Sequence, residues 1–207
     1  MSDLPQLTRQ IQARLGVTVD GTYGPATAAA ILAALPAPAV ATPAPIPPSG
    51  DIDSRTAGVF AKLDPKIVPN FRDFYRQANA RLADRGLSYV AVQGTRTMAE
   101  QQALYNQGRT TPGQIVTKAK PGSSWHNFAV AVDFGVFRGG SYLDEHEPGL
   151  ADKIHREIAT ALADECGLAW GGDWTSIKDF PHYQPASLPA SPNDHYRELF
   201  QEKGSVL

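Results

Sequence analysis

Cysteine is nearly absent from this chain of 207 residues: Cys166 is its one thiol, so no internal disulfide framework can exist. Small secreted scaffolds stapled by disulfides are excluded, and any metal site must draw on His and carboxylate ligands. Also missing is an apolar run approaching the ~18 residues that a membrane-spanning helix needs. Residues 1–15 (MSDLPQLTRQIQARL) offer neither a basic start nor an apolar stretch, so no ordinary secretory signal is visible. An excess of positive charge is lacking as well. Nineteen Lys and Arg stand against 21 Asp and Glu, a net charge of −2. That balance argues against a duplex nucleic-acid binder, which carries a basic surplus. Charged residues reach 19% and hydrophobic ones 42%, both slightly below typical globular usage.

What fills the gap is glycine and proline, 18 and 17 residues, and the prolines are not spread evenly. Six of them fall between Pro36 and Pro48, in PAPAVATPAPIPP, a stretch without charge, aromatic side chains or periodicity. It reads as a semi-rigid Pro/Ala linker of extended character, able to separate its flanks by about 40 Å at ~3.1 Å per residue. The predicted organisation is therefore three parts: residues 1–35, a linker over 36–50, and a domain over 51–207. All five histidines and all three tryptophans lie in the last part, which is long enough for a proper core. The first part is marginal alone, since domains below ~40 residues usually need help to fold.

In the first part, Leu7, Ile11 and Leu15 recur at helical spacing and Gly16 supplies a stop. A turn-rich connection follows, and Pro25 opens a second helix running to Leu35. The segment reads as a helix pair about an Asp-Gly turn. Its core, IQARLGVTVDGTYGPATAAAI, resembles the repeat of the peptidoglycan-binding domain family at Leu15, Gly16, Asp20, Gly21, Gly24 and Thr27. That resemblance implies a shortened wall-binding anchor.

In the large part, helices are expected over 65–85, 97–106, 149–165 and 193–202, with Thr97 and Glu100 forming a capping box. Strands are expected over 87–92, 128–134, 168–170 and 181–184. The elements do not alternate in a βαβ rhythm, which favours α+β with a small, mostly antiparallel sheet flanked by helices.

Two runs carry chemistry. In Ser124-Trp125-His126-Asn127-Phe128-Ala129-Val130-Ala131-Val132-Asp133, a histidine just before a strand is followed seven residues later by an aspartate at its far end. In Trp170-Gly171-Gly172-Asp173-Trp174 and onward to Asp179-Phe180-Pro181-His182-Tyr183-Gln184, an aspartate precedes a histidine by three residues. Two His and one carboxylate would supply three zinc ligands and leave a fourth position for water, the open coordination of a catalytic site. The remaining carboxylate, three residues from a ligand, could contact that water as general base.

The first run is similar to the Ser-x-His-x-x-Gly-x-Ala-x-Asp signature of the LAS peptidases of family M15, zinc enzymes that include D-alanyl-D-alanine carboxypeptidases and L-alanyl-D-glutamate endopeptidases. The second resembles their Trp-Gly-Gly-x-Trp … Asp-x-x-His-Tyr/Phe-Gln signature. Gln93-Gly94-Thr95-Arg96-Thr97 followed by Glu100-Gln101-Gln102 resembles their Gly-x-Arg-Ser/Thr-x-x-x-Gln segment. The resemblance implies the LAS/hedgehog-like peptidase fold and a Zn2+ cofactor held by His126, Asp133 and His182. It implies Asp179 as base toward the attacking water and then acid toward the leaving amine. Arg96 would hold a substrate carboxylate or carbonyl and stabilise the oxyanion. Ser124 and Gln101 would support the site or the substrate. The family glycine is replaced by Ala129, a methyl group expected beside the metal-bearing strand.

Within the family, Asp rather than Glu at position 179 resembles the endolysin-like endopeptidases. The implied function is zinc-dependent cleavage of the L-Ala–D-Glu bond of the peptidoglycan stem peptide. The alternatives are a D-Ala-D-Ala carboxypeptidase and a non-catalytic zinc-containing wall-binding module. The implied partner is peptidoglycan, with no nucleic acid, no membrane span and a monomeric state. Action at the cell wall would need release by a phage-type or other route.

Other polar residues read as bland. His155 is expected at the surface or boundary of its helix, and Asp144-Glu145-His146-Glu147 as a solvated turn. His195 has no partner by spacing, and Cys166 reads as a small buried apolar residue. The three tryptophans could line a groove or pack the core.

Overall fold

The computed structural model describes residues 4–16, 18–20, 27, 52–175 and 177–207. The chain divides into two units, Met1–Thr42 and Pro43–Leu207. In the first, helix α1 (Leu4–Leu15) matches the expected periodicity, and Gly16 follows it at φ +67°. Gln12 is buried, and its amide donates to Asp20 Oδ1 at 2.8 Å and Thr27 Oγ1 at 2.9 Å. Two positions of the repeat motif are thus tied to one side chain of α1. The expected second helix, Thr27 apart, and the 36–50 linker lie outside the described residues.

The second unit is α+β. Its elements are α2 (Ser54–Phe60), α3 (Val68–Leu82), β1 (Leu87–Gln93), α4 (Met98–Asn106), β2 (Val132–Arg138), β3 (Ser141–Tyr142), α5 (Leu143–His146), α6 (Pro148–Leu162), β4 (Leu168–Trp170), β5 (His182–Pro185) and α7 (Asp194–Lys203). The five strands form one sheet in the order β1-β2-β5-β4, with β3 beside β2, and every pairing is antiparallel. The capping box before α4 is complete, with Thr97 and Glu100 each accepting from the other's backbone N–H. No helix among the described residues is long and apolar enough to cross a membrane.

Alternation along the strands sorts side chains onto two faces. Tyr89, Phe134 and Tyr183 point to one face, where they join Phe71, Phe74 and Ala78 of α3 and Ile154, Ile158 and Leu162 of α6 in one buried cluster. Phe134 sits at its centre, stacked on Tyr89 at 5.2 Å between ring centroids and edge-on to Tyr183 at 5.8 Å. Asp133 and His182, one residue out of phase with Phe134 and Tyr183, face the other way. A smaller cluster of Trp125, Phe128, Val130, Ala131, Leu188 and Val206 is covered by Tyr196 and Phe200 of α7.

Three expectations are corrected. The second strand starts at Val132, not at residue 128, because residues Trp125–Phe128 form a 3-10 turn. His126 therefore stands on that turn, and Asp133 lies near the start of β2 rather than at its far end. Ala129 ends the turn in the left-handed region at φ 59°, and its carbonyl accepts from the Asp64 N–H at 2.8 Å. The family glycine thus answers a backbone requirement rather than a shortage of space. An L residue held there loses about 1–2 kcal/mol, part of which glycine's greater unfolded-state freedom offsets. Ala129→Gly is expected to stabilise the fold by about 0.5–1 kcal/mol, read as a rise of about 1–4 °C in Tm by calorimetry.

His155 is the second correction, being fully buried. Its Nε2–H donates to Asp144 Oδ1 at 2.6 Å, and its Nδ1 accepts from Tyr89 O–H at 2.5 Å. Tyr89 Oη lies 3.0 Å from the hydroxyl of Tyr183. Burial pushes the pKa of both phenols well up, so both stay neutral. The third correction is Asp144, which leaves the acidic run and turns inward, also accepting from the Val136 N–H at 2.9 Å. A helix position offers a periodicity but not the partner waiting across the core, so His155 looked bland. His155→Leu strands the Asp144 carboxylate, and urea unfolding is expected to register a loss of about 2–4 kcal/mol. Cys166 is buried as expected, and burial pushes its thiol up to about 11.

Candidate active site

The edge-to-edge pairing of β2 and β5 places Asp133 directly opposite His182, with Gln93 of β1 on the other side of Asp133. The 3-10 turn brings His126 over the same spot. Its Nδ1 lies 2.7 Å from the Gly94 carbonyl, and its backbone carbonyl accepts from the Arg96 N–H at 2.9 Å. Asn127 fastens the turn further, donating to the Arg96 carbonyl at 2.9 Å and accepting from the Gly122 N–H at 3.0 Å.

Three donor atoms converge as a result. His126 Nε2 is 3.1 Å from Asp133 Oδ1 and 3.2 Å from His182 Nδ1, and His182 Nδ1 is 3.2 Å from Asp133 Oδ1. Among the described residues this is the one cluster of three His, Cys, Asp or Glu able to hold a metal ion. Donors ~2.0–2.2 Å from a tetrahedral zinc stand about 3.3–3.6 Å apart, so the triangle fits within a few tenths of an ångström. The far nitrogens fit too. Carbonyl oxygens only accept, so Gly94 fixes the proton of His126 on Nδ1 and frees Nε2. His182 Nε2 faces Gln184 Oε1 at 3.1 Å, which leaves Nδ1 free.

Electrostatics separates the two aspartates. Burial opposes the charge of Asp133, but the two imidazoles beside it outweigh burial and hold its carboxyl far below the usual carboxylate range. Asp179 goes the other way: burial first, then the negative charge of Asp133, raise its pKa. One carboxylate is suited to constant ionisation and the other to proton exchange.

Asp179 reaches this place because of glycine. A Cβ on Gly171 would lie 2.5 Å from the Asp179 carbonyl and 3.0 Å from His182 Cβ. The Gly171 carbonyl accepts from the Asp179 N–H, and the Asp179 carbonyl from the His182 N–H, both at 3.2 Å. The Trp-Gly-Gly run is thus the bed on which the Asp179–His182 segment lies. Trp170 Nε1 donates to the Phe180 carbonyl at 2.7 Å, and the Trp174 ring sits 4.9 Å from that of His182. Trp125 and Trp170 pack the fold, while half-buried Trp174 flanks the site.

Arg96 stands beside the other oxygen of Asp133, with Nη2 3.7 Å from Oδ2. Its Nη1 donates to Gln101 Oε1 at 2.9 Å, and the fully buried Gln101 donates onward to the Ala119 carbonyl at 2.8 Å. Ser124 is half-buried and immediately precedes the 3-10 turn; its carbonyl accepts from the Asn127 N–H at 3.0 Å, and its hydroxyl makes no cap bond to the turn. His146 and His195 are exposed. The residues missed by sequence reasoning are Asn127, Gln184 and the Gly94 carbonyl. Strand alternation offered a signal for Gln184, two residues beyond His182 on the same face.

A family model described as D-alanyl-D-alanine carboxypeptidase, of the M15 peptidases, matches residues 117–185. The peptidoglycan L-alanyl-D-glutamate endopeptidase CwlK of Bacillus subtilis (strain 168) is 40% identical over 112 residues, covering 51% of this chain and 65% of that protein. The match thus spans just under two thirds of the relative. Among solved structures, the L-Ala D-Glu endopeptidase ChiX of Serratia marcescens aligns with a TM-score of 0.44 and 25% identity over 64% of this chain and 86% of that one. The vancomycin resistance D,D-pentapeptidase VanY from a VanB-type cassette, in complex with Zn(II), aligns at 0.46 and 18% over 78% and 90%. Over residues 117–185 the chain is thus similar to the M15 peptidases.

Proposed function

We propose that this protein is a zinc-dependent hydrolase of peptidoglycan stem peptides that cuts the L-Ala–D-Glu bond. The observation that carries the reading is the triangle of His126, Asp133 and His182 with Asp179 beside it, each aspartate pushed in the direction its role needs. Likeness to CwlK, itself an L-alanyl-D-glutamate endopeptidase, supports the choice of bond.

His126, Asp133 and His182 would hold the zinc ion, which when bound acidifies water and polarises a carbonyl. Asp179 takes the proton of the attacking water and passes it to the leaving amine. Its raised pKa suits both halves of that exchange, since an ordinary carboxyl is too weak a base to accept and return a proton near neutrality. Arg96, held by Gln101, presents its guanidinium to a substrate carboxylate or to the oxygen on which charge develops. Residues 1–35 would anchor the enzyme to the wall through the 36–50 linker.

The second reading is a D-Ala-D-Ala carboxypeptidase, favoured by the description of the matching family model. Mass spectrometry of purified muropeptides, digested with and without chelator, decides between them. The expected products are a free L-Ala terminus on the muramyl side and a peptide beginning with D-Glu, both lost on chelation. Release of a terminal D-Ala alone would overturn the endopeptidase reading in favour of the carboxypeptidase.

A further inference from the structure

Gln184 is 1% exposed, and neither end of its amide is free to choose. Nε2 lies 2.9 Å from the Pro189 carbonyl, which can only accept, so the NH2 end must face Pro189. Oε1 is thereby turned to His182 Nε2, 3.1 Å away, and an oxygen there requires that nitrogen to carry the proton. With that proton on Nε2, Nδ1 is the nitrogen left to offer its lone pair to a metal ion between Asp133 and His126. The choice of ligand atom on His182 runs back through Gln184 to one backbone oxygen.

That oxygen has a second donor. Trp125, the residue before His126, donates Nε1–H to the same Pro189 carbonyl at 2.8 Å. The carbonyl is itself well seated: Leu188 is buried against Trp125, and its N–H donates to the Pro185 carbonyl at 3.1 Å. Segments carrying two ligands of the triangle, 56 residues apart, therefore hang from one atom of the loop after β5.

We propose that Gln184 is a positioning residue that locks His182 in its Nδ1-ligating tautomer, with the Pro189 carbonyl as the fixed point. The proposal rests on the zinc reading above. Loss of such an outer partner weakens metal binding ~10–100-fold.

The test uses the full chain with two substitutions. Gln184→Met keeps the volume and removes both hydrogen bonds; Gln184→Glu keeps an acceptor for His182 and loses the donor to Pro189. Zinc affinity is measured by chelator competition, and the protonation site of His182 by long-range 1H–15N NMR of the metal-free protein at a pH high enough for its imidazole to be neutral. Gln184→Met is expected to lower zinc affinity about 10–100-fold and to mix the two tautomers of His182. Gln184→Glu is expected to keep the Nε2–H form and recover most of the affinity. Wild-type affinity and an unmixed tautomer in Gln184→Met would overturn the proposal, as would equal losses in both variants, which indicate a packing role. A wild-type chain that binds no zinc yet shows the Nε2–H form, lost in Gln184→Met, sinks the zinc reading alone.

Discussion

Asp179→Ala is expected to lower kcat/KM on muropeptides by about 10²–10⁴-fold while the protein still binds one zinc ion, because in the proposed mechanism the side chain serves the proton and not the metal. The three donor atoms of the triangle come from other residues, and Asp179 is held next to His182 by the Gly171 bed and a backbone bond. Zinc content by elemental analysis, measured on the same sample as the rate, separates the two roles. Undiminished turnover would remove Asp179 from the mechanism. Loss of zinc together with turnover would make it part of the metal's support. Asp179→Asn is the companion variant: it keeps the shape, cannot accept the proton, and is expected to be as slow.

Arg96→Ala is expected to cost about 10²–10³-fold in kcat/KM, the usual effect of deleting one charge-stabilising donor. Arg96→Lys restores only part of this, since a point charge cannot reach both Gln101 Oε1 and the Asp133 side as a planar fork does. A second readout has a definite sign. The positive charge of Arg96 is among the influences that lower the pKa of Asp179, against the larger rise from burial and Asp133. Removing it lifts that pKa further, so the acid limb of the pH–rate profile moves to higher pH in Arg96→Ala. A limb that stays put while the rate falls would mean that Arg96 contacts substrate without sensing Asp179.

Much of the candidate site is legible in the sequence. His126, Asp133, His182 and Asp179 stand out through residue type, spacing and family signatures; the structure places the donor atoms of the first three together and ties Asp179 to His182 through the backbone. The helices α3, α4, α6 and α7 followed from apolar periodicity and caps, which are local properties. What stayed hidden depends on contacts between distant segments. His155 carries no local sign of the Tyr89 hydroxyl 66 residues away. Short α2 and two-residue β3 are too brief for a period to establish itself. Phe128, the last residue of the 3-10 turn, opens the apolar run 128–134 that reads as a strand, and the hydrogen bonds of the turn to Gly94 and Arg96 explain why the chain coils there instead.

The pairing of β5 with β2 rests on only two residue pairs, Val132 with Tyr183 and Asp133 with His182. That ladder is short, and a slip by one residue would exchange the two faces of β5. His182 and Gln184 would then enter the aromatic core, and Tyr183 would occupy the site. The Tyr183 hydroxyl meets Tyr89, and through it His155 and Asp144, only in the observed alignment. A slipped strand would take the Tyr183 hydroxyl away from Tyr89 and bury the side chains of His182 and Gln184 among aromatic rings. The phenol pair on the far side of the sheet thus proofreads the near side: it disfavours misaligned β5 by leaving polar atoms stranded, so the triangle of His126, Asp133 and His182 assembles in one alignment.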